Sequence, residues 1–176
     1  MTAKWTDFVA SSVLTAAQLN DVLDNFQDVA IFCESQASGT AGGATSTGSF
    51  IKRTLNTTIV NNITSCTLTS SVVSLPAGTY LMYATAPFYQ CNETKIRLQN
   101  TTAATTIALG QNVYPDGATA CSVTSNVFAA TTLSVTSNIE LQYRATTARA
   151  TAGLGNAVNF ASVNEIYSQL VIIRIA

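Results

Sequence analysis

Histidine, the commonest general base near neutral pH and the commonest metal ligand, does not occur in this sequence. Ser-His-Asp catalysis, Cys-His catalysis and zinc–histidine coordination are therefore impossible. Acid chemistry would fall to nine carboxylates. Asp21, Asp24 and Asp28 recur at i, i+3 and i+7 and would share one face of a helix. Glycoside hydrolysis or a hard-metal site needs acids that converge in a cleft, so this row reads as a solvated face. Glu34, Glu93, Asp116, Glu140 and Glu165 are widely spread. The glycine cluster Gly39-Thr-Ala-Gly-Gly43 lacks the Lys-Ser/Thr that completes a phosphate loop. The four cysteines, Cys33, Cys66, Cys91 and Cys121, include no CxxC pair, which removes the zinc-knuckle and thioredoxin-type motifs. Reduced thiols buried as small apolar residues are expected instead. These residues predict a non-enzymatic protein with no catalytic, cofactor-binding or metal site.

The composition says what kind of scaffold holds them. Of 176 residues, 47% are hydrophobic and only 10% charged, against about 25% charged in ordinary globular proteins. Polarity comes from 27 Thr, 16 Ser and 13 Asn. Low charge with abundant β-branched residues argues against disorder and fits a pleated, half-buried surface. Eight basic residues in a net charge of −1 do not make the basic patch of a nucleic-acid binder. No apolar run approaches the length of a membrane helix, so no membrane insertion is expected. The start, Met1-Thr-Ala-Lys-Trp-Thr-Asp7, does not carry the basic-then-apolar order of a cleaved signal peptide.

Three segments follow along the chain. Residues 14–35 read as the one convincing helix. Thr15-Ala-Ala-Gln18 has the capping-box pattern, flanked by Leu14 and Leu19 at hydrophobic-staple spacing. Leu19, Val22, Phe26, Val29 and Cys33 then recur in steps of 3, 4, 3 and 4, a heptad seam. A helix over 16–34 would be about 28 Å long. It either packs on its own domain or pairs with other copies, and the lack of a second helix as intramolecular partner favours pairing. Residues 36–49 have the Gly/Ser/Thr composition of a flexible linker. It separates an acidic head, residues 1–35 with net charge −4, from a body, residues 36–176 with net charge +3.

The body, residues 50–176, reads as short strands broken at Leu75-Pro-Ala-Gly78, Asn100-Thr-Thr, Tyr114-Pro-Asp-Gly117 and Gly153-Leu-Gly155-Asn156, the pattern of an antiparallel β-sandwich. The strands expected are Phe50–Asn56, Ser65–Ser74, Gly78–Tyr89, Thr94–Asn100, Thr105–Asn112, Ala120–Phe128, Leu133–Val135, Ile139–Thr146 and Glu165–Ile175. The last has Tyr167, Val171, Ile173 and Ile175 on one face and Ile166, Leu170 and Ile172 on the other. A strand apolar on both faces must be covered on both, and in a two-layer sandwich the second cover is another subunit.

Two stretches carry a resemblance. Trp5-Thr-Asp-Phe8, Val13-Leu-Thr-Ala-Ala-Gln-Leu-Asn20 and Asp24-Asn25 together resemble a segment near the start of many tailed-bacteriophage virion proteins. The body is similar to the small trimeric jelly-roll of phage fibre and decoration proteins, related in shape to tumour-necrosis-factor and complement-type heads. The residues that carry this are Leu75-Pro-Ala-Gly-Thr-Tyr80, Lys95-Ile-Arg-Leu98 and Glu165-Ile-Tyr-Ser-Gln-Leu-Val-Ile-Ile-Arg-Ile175. The resemblance implies a mainly β protein with an N-terminal helix and a jelly-roll, assembled as a homotrimer in the virion after synthesis in the host cytoplasm. Its partners would be itself and other virion proteins of capsid or tail. Trp5 and Phe8 lie outside the heptad seam and would anchor the arm to the particle. Leu19, Val22, Phe26, Val29, Tyr167, Val171, Ile173 and Ile175 would line the trimer interface. The alternative is a host-adsorption tail-fibre knob that binds a cell-surface glycan or protein.

Overall fold

A computed structural model describes Thr15, Ala16 and residues 28–175. Two antiparallel sheets face each other. The first has the order β3-β1-β11-β6-β9, built from β1 (Val29–Gln36), β3 (Thr57–Asn61), β6 (Gly78–Tyr89), β9 (Ser122–Leu133) and β11 (Glu165–Arg174). The second has the order β4-β5-β10-β7-β8, with β2 beside β10. Its members are β2 (Ile51–Lys52), β4 (Thr67–Thr69), β5 (Val72–Leu75), β7 (Thr94–Asn100), β8 (Thr105–Leu109) and β10 (Ser137–Ala145). The period-2 alternation of the sequence sets the layers. Phe32, Tyr80, Phe88, Leu170 and Ile172 from the first sheet meet Leu75, Ile96, Leu98, Ile139 and Leu141 from the second, all fully buried. Each contributes about 1.5–3 kcal/mol of burial.

The expected strands at 78–89 and 94–100 are observed with those bounds. Others differ for local reasons. The stretch 65–74 is a hairpin, because Ser70 and Ser71 both take positive φ and turn the chain between β4 and β5. The expected strand 120–128 continues to Leu133 as β9, which pairs with β6 without a break from Gly78↔Leu133 to Tyr89↔Ser122. Ser134 and Val135, expected as strand, lie in the bend that follows. Cys33, Cys66 and Cys91 are free and buried, and Cys121 is free and half-buried.

The largest correction lies at the expected helix. Its residues 17–27 lie outside the described residues, but 29–36 form β1, an interior strand between β3 and β11. Val29-Ala-Ile-Phe-Cys33 is an unbroken apolar run, and in a sheet it supplies both faces at once. Ala30 and Phe32 point into the core, whereas Val29 and Ile31 are only half-buried. The expected linker is also corrected. Residues 40–47 lie along the sandwich, with Gly42 N–H donating to Gly155 O, Gly43 N–H to Thr151 O and Thr45 N–H to Arg149 O. Thr45 is buried. A Cβ on Gly42 would sit 2.7 Å from Leu154 O, so glycine here serves close packing rather than flexibility. The boundary expected at residue 35 therefore falls inside one folded unit.

One end of the sandwich holds a buried ion pair. Arg53 Nη2 lies 3.3 Å from Glu34 Oε2, with side chains 0% and 1% exposed. Nη2 also donates to Leu154 O at 3.0 Å, and the guanidinium sits over the Phe88 ring, 5.8 Å from its centroid. Ser168 Oγ donates to Thr54 O at 2.7 Å and lies 3.4 Å from Glu34 Oε2. Arg53 Nε and Nη1 have no hydrogen-bond partner among the described residues. Burial lowers the guanidinium pKa to about 10 despite Glu34. It also pushes the Glu34 carboxyl above its ordinary range, with Arg53 pulling the other way.

Candidate assembly face

The outer face of the first sheet is apolar across four strands. Registers place Val29 opposite Ile173, Ile173 opposite Leu81 and Leu81 opposite Ala130. The next outward row runs Ile31, Val171, Tyr83 and Phe128. Both rows are free of charged residues. Tyr83 and Phe128 stack across β6 and β9 with ring centroids 4.4 Å apart, and Phe128 is still 74% exposed. Leu81 and Ile173 are also exposed. A shallow groove of about 410 Å³ runs between them and Val171. The third row, Cys33, Gln169, Thr85 and Asn126, turns polar, and Tyr83 O–H donates to Asn126 Oδ1 at 3.1 Å to close the patch.

Of the residues expected at an interface, Val29, Val171 and Ile173 come together here. Ile175 follows β11, exposed, with its N–H on Thr79 O. Trp5, Phe8, Leu19, Val22 and Phe26 lie outside the described residues. Tyr167 is a correction. It is 7% exposed within the single chain, and its hydroxyl donates to Thr40 O at 2.7 Å. Gly155, at φ +137°, lies so close that a Cβ there would overlap the Tyr167 ring. The chain's own loops cover most of the Tyr167 side chain at that end of β11. Leu81, Tyr83, Phe128 and Ala130 are the face residues that reading the last strand alone missed. The signal was present in β6, where Tyr80 and Met82 alternate with Leu81 and Tyr83, making that strand apolar on both faces like β11.

A second apolar feature is the loop between β10 and β11, where Val158, Phe160 and Val163 are exposed. Glu165 clamps it. Its Oε1 accepts Asn159 N–H at 2.7 Å and Gly39 N–H at 3.0 Å, and Oε2 accepts Val158 N–H at 3.1 Å. These three amides favour the charged form and hold the carboxyl below its ordinary value of 4.5. A group whose folded pKa is depressed stabilises the fold above its unfolded pKa and loses that contribution as pH falls through the folded one. Glu165→Gln removes one acceptor, since an amide NH₂ cannot accept from Val158 N–H. The expected result is faster hydrogen exchange at Gly39, Val158 and Asn159 in the variant at neutral pH. In the parent protein the protection of the same amides should be lost only once the pH falls below the ordinary carboxyl range. Equal exchange in both proteins at neutral pH would refute the clamp.

No protein-family model and no curated protein matches the chain. Solved structures do. The murine APRIL structure at pH 5.0 aligns with TM-score 0.54 at 11% identity over 83% of this chain and 97% of that one. The globular domain of zebrafish complement 1qA gives 0.53 at 11% identity over 84% and 97%. The Eiger TNF from S. frugiperda gives 0.56 at 17% identity over 84% and 92%. Likeness at such identities shows the fold alone: a mainly β, TNF-like jelly-roll sandwich. The described residues are almost without helix.

Proposed function

We propose that this chain is a non-enzymatic structural protein of a tailed-phage virion, a homotrimeric short fibre or capsid decoration. The observation that carries the assembly is the two-row apolar face on β1, β11, β6 and β9. A patch of this kind, without charge and rimmed by polar residues, marks a protein–protein contact. The phage assignment rests on the Trp5-to-Asn25 segment of the sequence, and the trimer on the apolar face together with the jelly-roll resemblance. The arm, with Trp5 and Phe8, attaches the trimer to the particle, where a buried Trp acts as a hot spot. Because β1 belongs to the sandwich, attachment is assigned to residues ahead of it. Deleting residues 1–13 should leave a soluble protein of trimer mass by light scattering that no longer joins particles lacking the native copy. A monomeric mass at micromolar concentration overturns the trimer. Normal particle occupancy by the truncated protein overturns the anchor.

A further inference from the structure

The outer face of the second sheet carries a cleft of about 660 Å³, within the size range of small-ligand sites. Most polar groups around it are already engaged. Arg97 Nε donates to Gln142 Oε1 at 2.8 Å and Nη1 to Thr106 Oγ1 at 3.0 Å, and its guanidinium stacks 4.1 Å from the Phe50 ring centroid. Lys52 lies 4.0 Å from Glu140, which also accepts Gln142 Nε2–H at 2.7 Å. Two cations in the cleft are left over. Lys95 and Arg144 occupy directly opposite positions on β7 and β10, and neither side chain has a salt bridge or hydrogen bond among the described residues. Like charges directly opposite destabilise a sheet. Among the described residues nothing compensates the pair, and an anion placed between them would reverse its sign.

The rest of the lining narrows the anion. Tyr114 and Leu109 are 56% and 58% exposed and stand with Phe50 and Val113 around the cationic pair. An inorganic anion would leave that apolar and aromatic wall idle. Glu93, whose carboxylate accepts the Thr146 hydroxyl, also lines the cleft and would repel a polyanion such as a nucleic acid. One carboxylate on a body with an apolar face and several hydroxyls uses every part of this lining. We propose that the cleft binds a carboxylate-bearing saccharide, with Lys95 and Arg144 on the carboxylate, the Tyr114 ring against the sugar face and Glu93 with Asn112 on hydroxyls. The cleft is built within one protomer, on the sheet opposite the assembly face. It stays open in a trimer, and its failure leaves the trimer reading intact.

Calorimetric titration of the full chain tests this with galacturonic acid and a sialic-acid-terminated trisaccharide, each bearing one carboxylate, as probes, against maltotetraose and inorganic phosphate. The expected result is saturable binding of at least one acidic saccharide and none of maltotetraose or phosphate. Arg144→Ala should weaken that binding about tenfold or more, the effect of one lost charge-assisted hydrogen bond. Tyr114→Ala should weaken it with the cations intact. Both residues are exposed, and an unchanged melting temperature verifies that the variants fold. Equal binding of maltotetraose, equal binding of phosphate, unchanged affinity in both variants, or no binding of either acidic saccharide would overturn the proposal.

Discussion

Phe128→Asp is expected to convert the assembled protein to a monomer while the sandwich itself stays folded. In the isolated protomer Phe128 is 74% exposed, so its replacement removes little core contact. In the proposed trimer its ring is buried against a neighbour, and burying a Phe side chain contributes about 1.5–3 kcal/mol, counted once for each of three copies. The aspartate adds the cost of placing an unpaired charge in an interface with no cation in either apolar row. Ile173→Asp, one row away on β11, should act in the same direction. Leu109→Asp, also at an exposed position but on the opposite sheet, should leave the mass unchanged. Light scattering at micromolar concentration reads the mass, and near-ultraviolet circular dichroism reads the packing around the aromatic residues. An assembled Phe128→Asp protein would place the contact elsewhere, and the exposed loop at Val158, Phe160 and Val163 would be the next surface to examine.

How far that face could be read from the sequence depends on the strand. In β11 the alternation is unbroken, and Val171 and Ile173 follow from it. In β6 the same alternation places Leu81 and Tyr83 outward, and the preceding Pro76 and Gly78 mark the turn into the strand. Ala130 was hidden because Ala129-Ala-Thr-Thr132 has the small, polar look of a loop, and Phe128 was read only as a strand's last residue, with no partner strand to give it a face. What makes it strand is the partner β6, whose length exceeds any local signal. Val29 and Ile31 were hidden by degeneracy. Phe26, Val29 and Cys33 satisfy a heptad seam, and the run from Val29 to Cys33 equally satisfies a strand covered on both sides. Spacing alone cannot separate these, and the vacant position between β3 and β11 decides. The Gly/Ser/Thr stretch failed for a related reason. Composition describes the freedom of an isolated segment, whereas here Gly42 and Gly43 let the chain approach Leu154, more than a hundred residues later. Tyr167 follows from the same omission: its strand face was legible, but the loops that cover it were not.

The pair Glu34–Arg53 was invisible to spacing as well, and it carries the second large effect. Arg53→Leu is expected to destabilise the protein by about 3–5 kcal/mol, because it leaves the Glu34 carboxylate buried without its cation. Glu34→Leu should cost a similar amount, since it strands a guanidinium whose Nε and Nη1 already lack partners. The double variant Glu34→Leu/Arg53→Leu should recover most of that loss. Two desolvated charges cost several kcal/mol each, and the pKa directions of both groups show burial opposing their charged forms. Recovery will be incomplete where Leu154 O and the Ser168 hydroxyl lose a partner. Urea denaturation of the two singles and the double at one fixed protein concentration measures the coupling, the concentration being held because assembly adds to apparent stability. Single losses that simply add in the double variant would mean that the two charges act independently, and that packing around Phe88, rather than the ion pair, holds this end of the sandwich together.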